Sequence, residues 1–251
     1  MFKGTIELNG HEVPRTLLGT SPFMGIKAAQ FGHRSMLYQL DFYDKPEKIL
    51  QLIEKSYELG IRGIQLVPYP YIVEAFKWAA DEGCEMEIIG TVRPDNELED
   101  IKVLSELEAR AILLHGVVTD KTDWNFLEDK LQLIKDQNIS AGLATHMPFR
   151  TTAALLESSV TDLFDIYLIP VNKLGYLMDC DGFRTENRAQ IRDMIKKLDK
   201  TVIASKTLAA GILTPNEAFD YLKTLDYVDI VAVGIASEEE AEETFSILAS
   251  K

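Results

Sequence analysis

From residue 15 to the end of the chain, short apolar runs alternate with segments of helical period, eight of each. The strand candidates are Thr16 to Gly19, Gly63 to Val67, Glu87 to Val92, Ala111 to His115, Ser140 to His146, Ile166 to Val171, Thr201 to Lys206 and Ile230 to Gly234. Most lack a polar face, as parallel strands covered by helices do. The intervening segments are amphipathic: Ile49, Leu52, Ile53 and Ser56 share one face before Gly60, and Ile191, Met194, Ile195 and Leu198 share another. Asp44 before Glu47, Thr214 before Pro215 and Glu217, and Ser237 before Glu240 place an acceptor three residues ahead of a carboxylate, the pattern of a helix start. Eight such units without a linker predict an α/β chain folded as one (β/α)8 TIM-barrel domain over 1–251, with an open doubly wound sheet as the other architecture that periodicity allows. Residues 1–14 differ. Two short runs around Asn9-Gly10 read as a β-hairpin, placed to plug the bottom of the barrel. Residues 24–44, with Gln30, Phe31, His33, Arg34, Tyr38 and Tyr43, are long for a βα connection and would lie over the C-terminal face as a lid or a subunit contact.

Composition narrows the partners. A chain of 251 residues, 46% hydrophobic and 26% charged, can bury a large core. Its net charge of -14 and the lack of a Lys/Arg cluster argue against nucleic acid and anionic membranes, leaving a small-molecule substrate. The absence of an apolar leader or a run of membrane length gives the expectation of a cytoplasmic protein. Cys84 and Cys180 cannot build a disulfide framework or a thiolate zinc site.

Side-chain alternation selects the candidate chemistry. It puts Val202, Ala204 and Lys206 on one face, Gly142, Ala144 and His146 on another, and Ala111, Leu113 and His115 on a third, each ending in a titratable group at the rim. Gln65 and Tyr69 end the second strand, Arg93 follows the third and Asn172 the sixth. Lys206 is the most telling of these, because an ammonium group at the end of an apolar strand is costly to bury and loses basicity, which is how catalytic lysines are made. Two histidines can begin a metal site, but no third inward carboxylate accompanies them and no metal is expected. The turns at Thr207, Leu208 and Gly211 and at Gly234 to Ser237 fall where barrels bind anions, although Glu238, Glu239 and Glu240 disfavour a phosphate-rich ligand there.

Several segments in order resemble the aldo-keto reductase superfamily. They are Leu8 to Pro14 with Leu18-Gly19-Thr20, Leu113 to Gly116, Val202 to Thr214 and Asp229 to Ser237, while Ala144 to Pro148 and Phe164 to Asn172 are closer to a divergent prokaryotic branch. The resemblance implies a barrel that reduces a small carbonyl compound with NADP as cofactor. It places His115 at the family's catalytic histidine. The aspartate position falls on Gln65, the tyrosine position on Pro70 between Tyr69 and Tyr71, and the lysine position on Val92 beside Arg93. The nicotinamide-holding glutamine falls on Leu168, and the adenosine contacts fall on Glu240 and Thr244. A rebuilt site of Tyr69 or Tyr71 with Arg93 and His115 is the leading expectation, with the turns after the seventh and eighth strands holding NADP. The alternatives are a non-redox enzyme using Lys206 with His115 or His146 on a small carbonyl substrate, and a non-catalytic relative that binds a ligand at the same rim.

Overall fold

The computed structural model describes residues 2–250. Two short strands, β1 (Thr5–Leu8) and β2 (His11–Pro14), pair antiparallel with Leu8 opposite His11. The two residues between them, Asn9 (φ 49°) and Gly10 (φ 84°), both take the left-handed backbone that the tightest hairpin turns require.

Eight parallel strands follow: β3 (Thr16–Gly19), β4 (Gly63–Leu66), β5 (Glu87–Thr91), β6 (Ala111–Leu114), β7 (Ser140–Ala144), β8 (Ile166–Pro170), β9 (Thr201–Ser205) and β10 (Ile230–Gly234). Each pairs with the next, and β10 closes onto β3 with Val231 beside Thr16. Closure removes the open-sheet alternative. The helices are α1 (Arg34–Phe42), α2 (Pro46–Glu58), α3 (Pro70–Asp81), α4 (Glu97–Glu106), α5 (Gly116–Thr119), α6 (Trp124–Lys135), α7 (Pro148–Leu155), α8 (Thr185–Leu198), α9 (Pro215–Leu222) and α10 (Glu238–Ser250). Among the described residues, no helix is long and apolar enough to cross a membrane.

The strands divide two cores. Leu17, Ile89, Ala111, Leu113, Ile166, Ile203 and Ile230 fill the barrel, joined from below by Leu8 and Val13 of the hairpin. The Asn9 side chain ties the hairpin down by donating to Ser140 Oγ at 2.9 Å and Asp165 Oδ2 at 2.8 Å, both at the entry ends of strands. The larger core lies between strands and helices, where Ile49, Leu52, Ile53 and Ser56 of α2 and Ile191, Ile195 and Leu198 of α8 are buried as their spacing predicts.

Four local expectations change. Val202 and Ala204 belong to the outer core and Ile203 to the inner one, the reverse of the parity read from the sequence. Asp44 takes left-handed backbone (φ 55°), and α2 starts at Pro46 with no side-chain cap, because the proline ring already fixes the first helical turn. Thr214 and Glu217 form the reciprocal cap, and Ser237 Oγ accepts from Glu240 N as expected, but the Glu240 carboxylate reaches past Ser237 to accept from Ala236 N at 2.9 Å. Within residues 24–44 the chain forms helix α1, which periodicity missed because Met36, Leu37 and Leu40 face solvent and only Ser35 and Phe42 are buried. This segment packs through Gly25 (φ 59°), where a Cβ would sit 2.2 Å from Gln39 Oε1.

Candidate active site

A cavity of about 390 Å³ opens at the C-terminal mouth of the barrel. Gln65, Thr91, Ala144, Leu168, Ser205, Ala232 and the glycines 19 and 234 line it from the strand ends. Small residues at those ends leave room that the isoleucines and leucines beneath do not. Gln65 Nε2 donates to Thr91 Oγ1 at 2.8 Å, which satisfies both buried groups at the base. Met24, Gln30, Phe31, Arg34 and Tyr38 bring the segment after β3 over one side.

Lys206, His146 and His115 meet in this space. The Lys206 ammonium lies 2.9 Å from His146 Nδ1, and the rings of His146 and His115 sit edge to face with centroids 5.2 Å apart. His115 and His146 arrive as alternation requires, two residues beyond the inward Leu113 and Ala144. Lys206 does not. With Val202 and Ala204 facing outward, continued alternation would carry Lys206 away from the cavity. The strand instead ends at Ser205, and Lys206 adopts a left-handed backbone (φ 55°), which turns the side chain inward. Such a conformation costs a residue with a Cβ about 1–3 kcal/mol and persists where surrounding structure enforces it.

Burial depresses all three basic groups. It pushes the Lys206 pKa down to about 8, a fall that the nearby Asp120 carboxylate opposes. Burial, with Lys206 and then His115 as further causes, pushes His146 down to about 3. His115 is lowered by burial and Lys206, against Asp120. Both imidazoles are therefore neutral near pH 7. In that form His146 Nδ1 accepts from the Lys206 ammonium, and its proton resides on Nε2. His115 Nδ1 accepts from Val117 N at 3.1 Å, which likewise leaves Nε2–H as the ring's donor.

Strand alternation does not reveal Asp120. Its carboxylate accepts from His146 N at 2.9 Å, from Thr151 Oγ1 at 2.7 Å and from Thr145 Oγ1. One acid thus fixes the backbone of the turn that carries His146. Its only signal in the chain is an aspartate five residues beyond His115, in a short connection. Asp179 caps α7 by accepting from Phe149 N and Arg150 N at 2.9 and 2.8 Å. Among the described residues no group of three His, Cys, Asp or Glu side chains is arranged to hold a metal ion.

Of the remaining candidates, Thr207, Leu208, Gly211 and Gly234 line the cavity, while Tyr69, Tyr71, Arg93, Asn172 and Ser237 lie outside its lining. The chain leaves β4 through a tight turn, Tyr69 N to Val67 O at 2.8 Å, and the Tyr69 ring packs between Lys27 and Arg93. Tyr71 donates its hydroxyl to Phe23 O at 3.1 Å. Arg93 is held by the fully buried Asp100 carboxylate through its backbone and guanidinium. Ser237 Oγ accepts from Glu240 N at the start of α10.

Asn172 acts at one remove. Its amide accepts from Leu174 N and Tyr176 N and donates to Tyr176 O, and the Tyr176 hydroxyl then donates to Gln30 O at 2.6 Å. Tyr176 and Gln30 both line the cavity, so this contact latches the segment after β3 to the loop after β8. Tyr176→Phe is expected to cost only about 1 kcal/mol, one ordinary hydrogen bond. Amide hydrogen exchange in residues 24–44 should accelerate while that of the strands stays unchanged.

The wall from Thr207 to Pro215, with Gly234, Glu240, Glu243 and Thr244, lies where the family resemblance locates NADP. Two carboxylates and a single guanidinium, that of Arg34, are poor chemistry for the phosphates of a dinucleotide, and Leu168 offers no hydrogen bond to a nicotinamide amide.

The closed parallel barrel with its cavity above is a fold the chain shares with solved structures of other TIM barrels. A protein from Pseudomonas aeruginosa assigned as an aldo-keto reductase is similar to the chain at 15% identity and a TM-score of 0.60, over 97% of this chain and 94% of that one. A variant of Gox0644 solved in complex with NADPH is similar at 12% identity and a TM-score of 0.64, over 98% and 88%. Deoxyribose phosphate aldolase from Aeropyrum pernix is similar at 18% identity and a TM-score of 0.56, over 82% and 85%. No protein-family profile and no curated protein matches the sequence. These likenesses establish the fold alone, and a barrel of this kind hosts many chemistries.

Proposed function

We propose that the protein is an enzyme of small carbonyl compounds in which Lys206 forms an imine with the substrate. The observation that carries this reading is the Lys206–His146 pair at 2.9 Å inside the barrel mouth. With a pKa of about 8, roughly one tenth of the lysine is free amine at pH 7, against less than one part in a thousand for an ordinary lysine. The amine lone pair attacks the carbonyl carbon, a C–N bond forms and the π electrons move to oxygen. One proton passes from nitrogen to that oxygen, with His146 as the adjacent carrier, to give a carbinolamine; the second nitrogen proton follows it, the C–O bond breaks, and water leaves as the nitrogen lone pair forms the C=N bond of the imine. His115 Nε2–H is the donor proposed to hold the carbonyl oxygen during attack. Asp120 is a positioning residue, acting through the His146 turn.

Borohydride treatment in the presence of glyceraldehyde, read by intact mass and peptide mapping, is expected to fix an adduct on Lys206. Its rate should climb with pH up to about 8 and level off above, because only the free amine reacts and burial sets its titration there. A rate that keeps rising toward pH 10 would mean that an ordinary surface lysine is responsible.

NADP-dependent reduction is the second reading, supported by the likeness to the NADPH-bound Gox0644 barrel and by His115 at the family's histidine position. It needs a tyrosine acid, and Tyr69 and Tyr71 are committed elsewhere. A saturable change in the fluorescence of Trp78 and Trp124 on titration with NADPH would favour reduction over imine formation.

A further inference from the structure

Beyond Lys206 along the same wall, the cavity has a cationic corner. Arg34, the first residue of α1, brings its guanidinium onto the turn after β9, with Nη1 2.8 Å from the position a Cβ on Gly211 would occupy. Glycine at 211, at φ 81°, is what permits that approach. Among the described residues no carboxylate lies within ion-pair distance of Arg34, although Glu240 and Glu243 line the same cavity. Glu240 is occupied at the start of α10, and the Tyr38 hydroxyl lies close enough to the Arg34 guanidinium to feel its charge. Between Lys206 and the Gly211 turn stands Thr207, almost wholly buried, whose Oγ1 has no hydrogen-bond partner. A buried hydroxyl without a partner is uncommon in a folded chain.

Resting on the imine reading, we infer that the substrate is a carbonyl compound with one anionic end, a carboxylate or a phosphate, which Arg34 receives while the carbonyl carbon faces Lys206. A guanidinium presents paired donors to either anion. The flanking Glu240 and Glu243 repel additional negative charge, so the corner selects a single anionic group over a polyanion. Arg34 also belongs to the segment that covers the cavity, so binding the anionic end would hold that segment closed over the reacting carbonyl.

The experiment compares glyoxylate, glyceraldehyde 3-phosphate and neutral glyceraldehyde as borohydride-trapped probes in the wild-type chain and in Arg34→Gln, reading the concentration for half-maximal adduct. The variant is expected to raise that concentration roughly 10–100-fold for at least one anionic probe, the range for losing a charged hydrogen-bond partner, and to leave glyceraldehyde within about twofold. Which probe responds distinguishes carboxylate from phosphate. Equal effects on anionic and neutral probes, or none, would overturn the inference while leaving the imine reading intact. Calorimetric titration with inorganic phosphate and with acetate separates the two from the other side. Saturable binding of either ion, lost in Arg34→Gln, supports the anion site even if no probe is trapped, in which case only the imine reading falls. Where neither ion binds and no anionic probe is preferred, the anion site is refuted.

Discussion

Lys206→Ala is expected to abolish the borohydride-trapped adduct, leaving only the slow background of surface lysines. Near neutral pH the wild-type residue holds on the order of 10²-fold more free amine than a lysine of ordinary basicity, so the contrast should be unambiguous in intact mass. The variant should remain folded. Alanine keeps the Cβ at the left-handed position, so the backbone strain there is unchanged, while the unfavourable burial of an ammonium group disappears. Its melting temperature is therefore expected to match or exceed that of the wild-type chain. An adduct of undiminished yield in Lys206→Ala sinks the proposed chemistry, and peptide mapping would show which amine had reacted. The result also bears on the family resemblance. In aldo-keto reductases the catalytic lysine position corresponds here to Val92, which is fully buried in the outer core, so an imine on Lys206 would be chemistry built from a different strand of the same barrel.

How far the sequence reveals this site depends on where regular backbone ends. The eight barrel strands are readable because burial on both faces forces continuous apolar runs, and each candidate includes the observed strand with at most two residues beyond it. His115 and His146 are readable because alternation persists to the strand ends. Lys206 reaches the predicted place by a different route: the parity that puts Val202, Ala204 and Lys206 on the inner face is wrong for β9, and one left-handed residue reverses the consequence. No periodicity encodes that flip. Arg93 and Asn172 fail the same extrapolation for opposite reasons. Arg93 is captured by Asp100 from the following helix, and Asn172 turns its amide onto the backbone of its own loop. Asp120 and the Arg34 corner stay hidden because they depend on long-range approach. Asp120 meets residues 25 to 31 positions away, and Arg34 meets Gly211 across almost the whole barrel sequence. Helix α1 escapes detection because Met36, Leu37 and Leu40 face solvent and the buried Phe42 alone makes no core stripe to read.

The second large effect is on stability in acid, and it follows from the same burial that makes the site reactive. His146 titrates at about 3 in the folded chain and near the ordinary 6.5 when unfolded. Between those values the unfolded chain binds the extra proton, so unfolding becomes easier as pH falls from 6.5 toward 3. At pH 4.5 this one ring is expected to remove about 2–3 kcal/mol of the stability present at pH 7, reduced to the extent that Lys206 swings away and lets the ring protonate in place. His115, lowered by burial and by the same lysine, acts in the same direction. The carboxylates cannot imitate the upper part of this window, since their ordinary titration lies near or below 4 and Asp226, paired with Arg192 and Lys196, is pushed lower still. His146→Gln keeps a polar side chain at that position but removes the titration. Urea midpoints measured from pH 7 to 4.5 should therefore fall less steeply in the variant than in the wild-type chain. Superimposable profiles would mean that the ring accepts a proton freely in the folded state. In that case His146 would not be held neutral beside the Lys206 ammonium, and the proton path from amine to carbonyl oxygen would need another carrier.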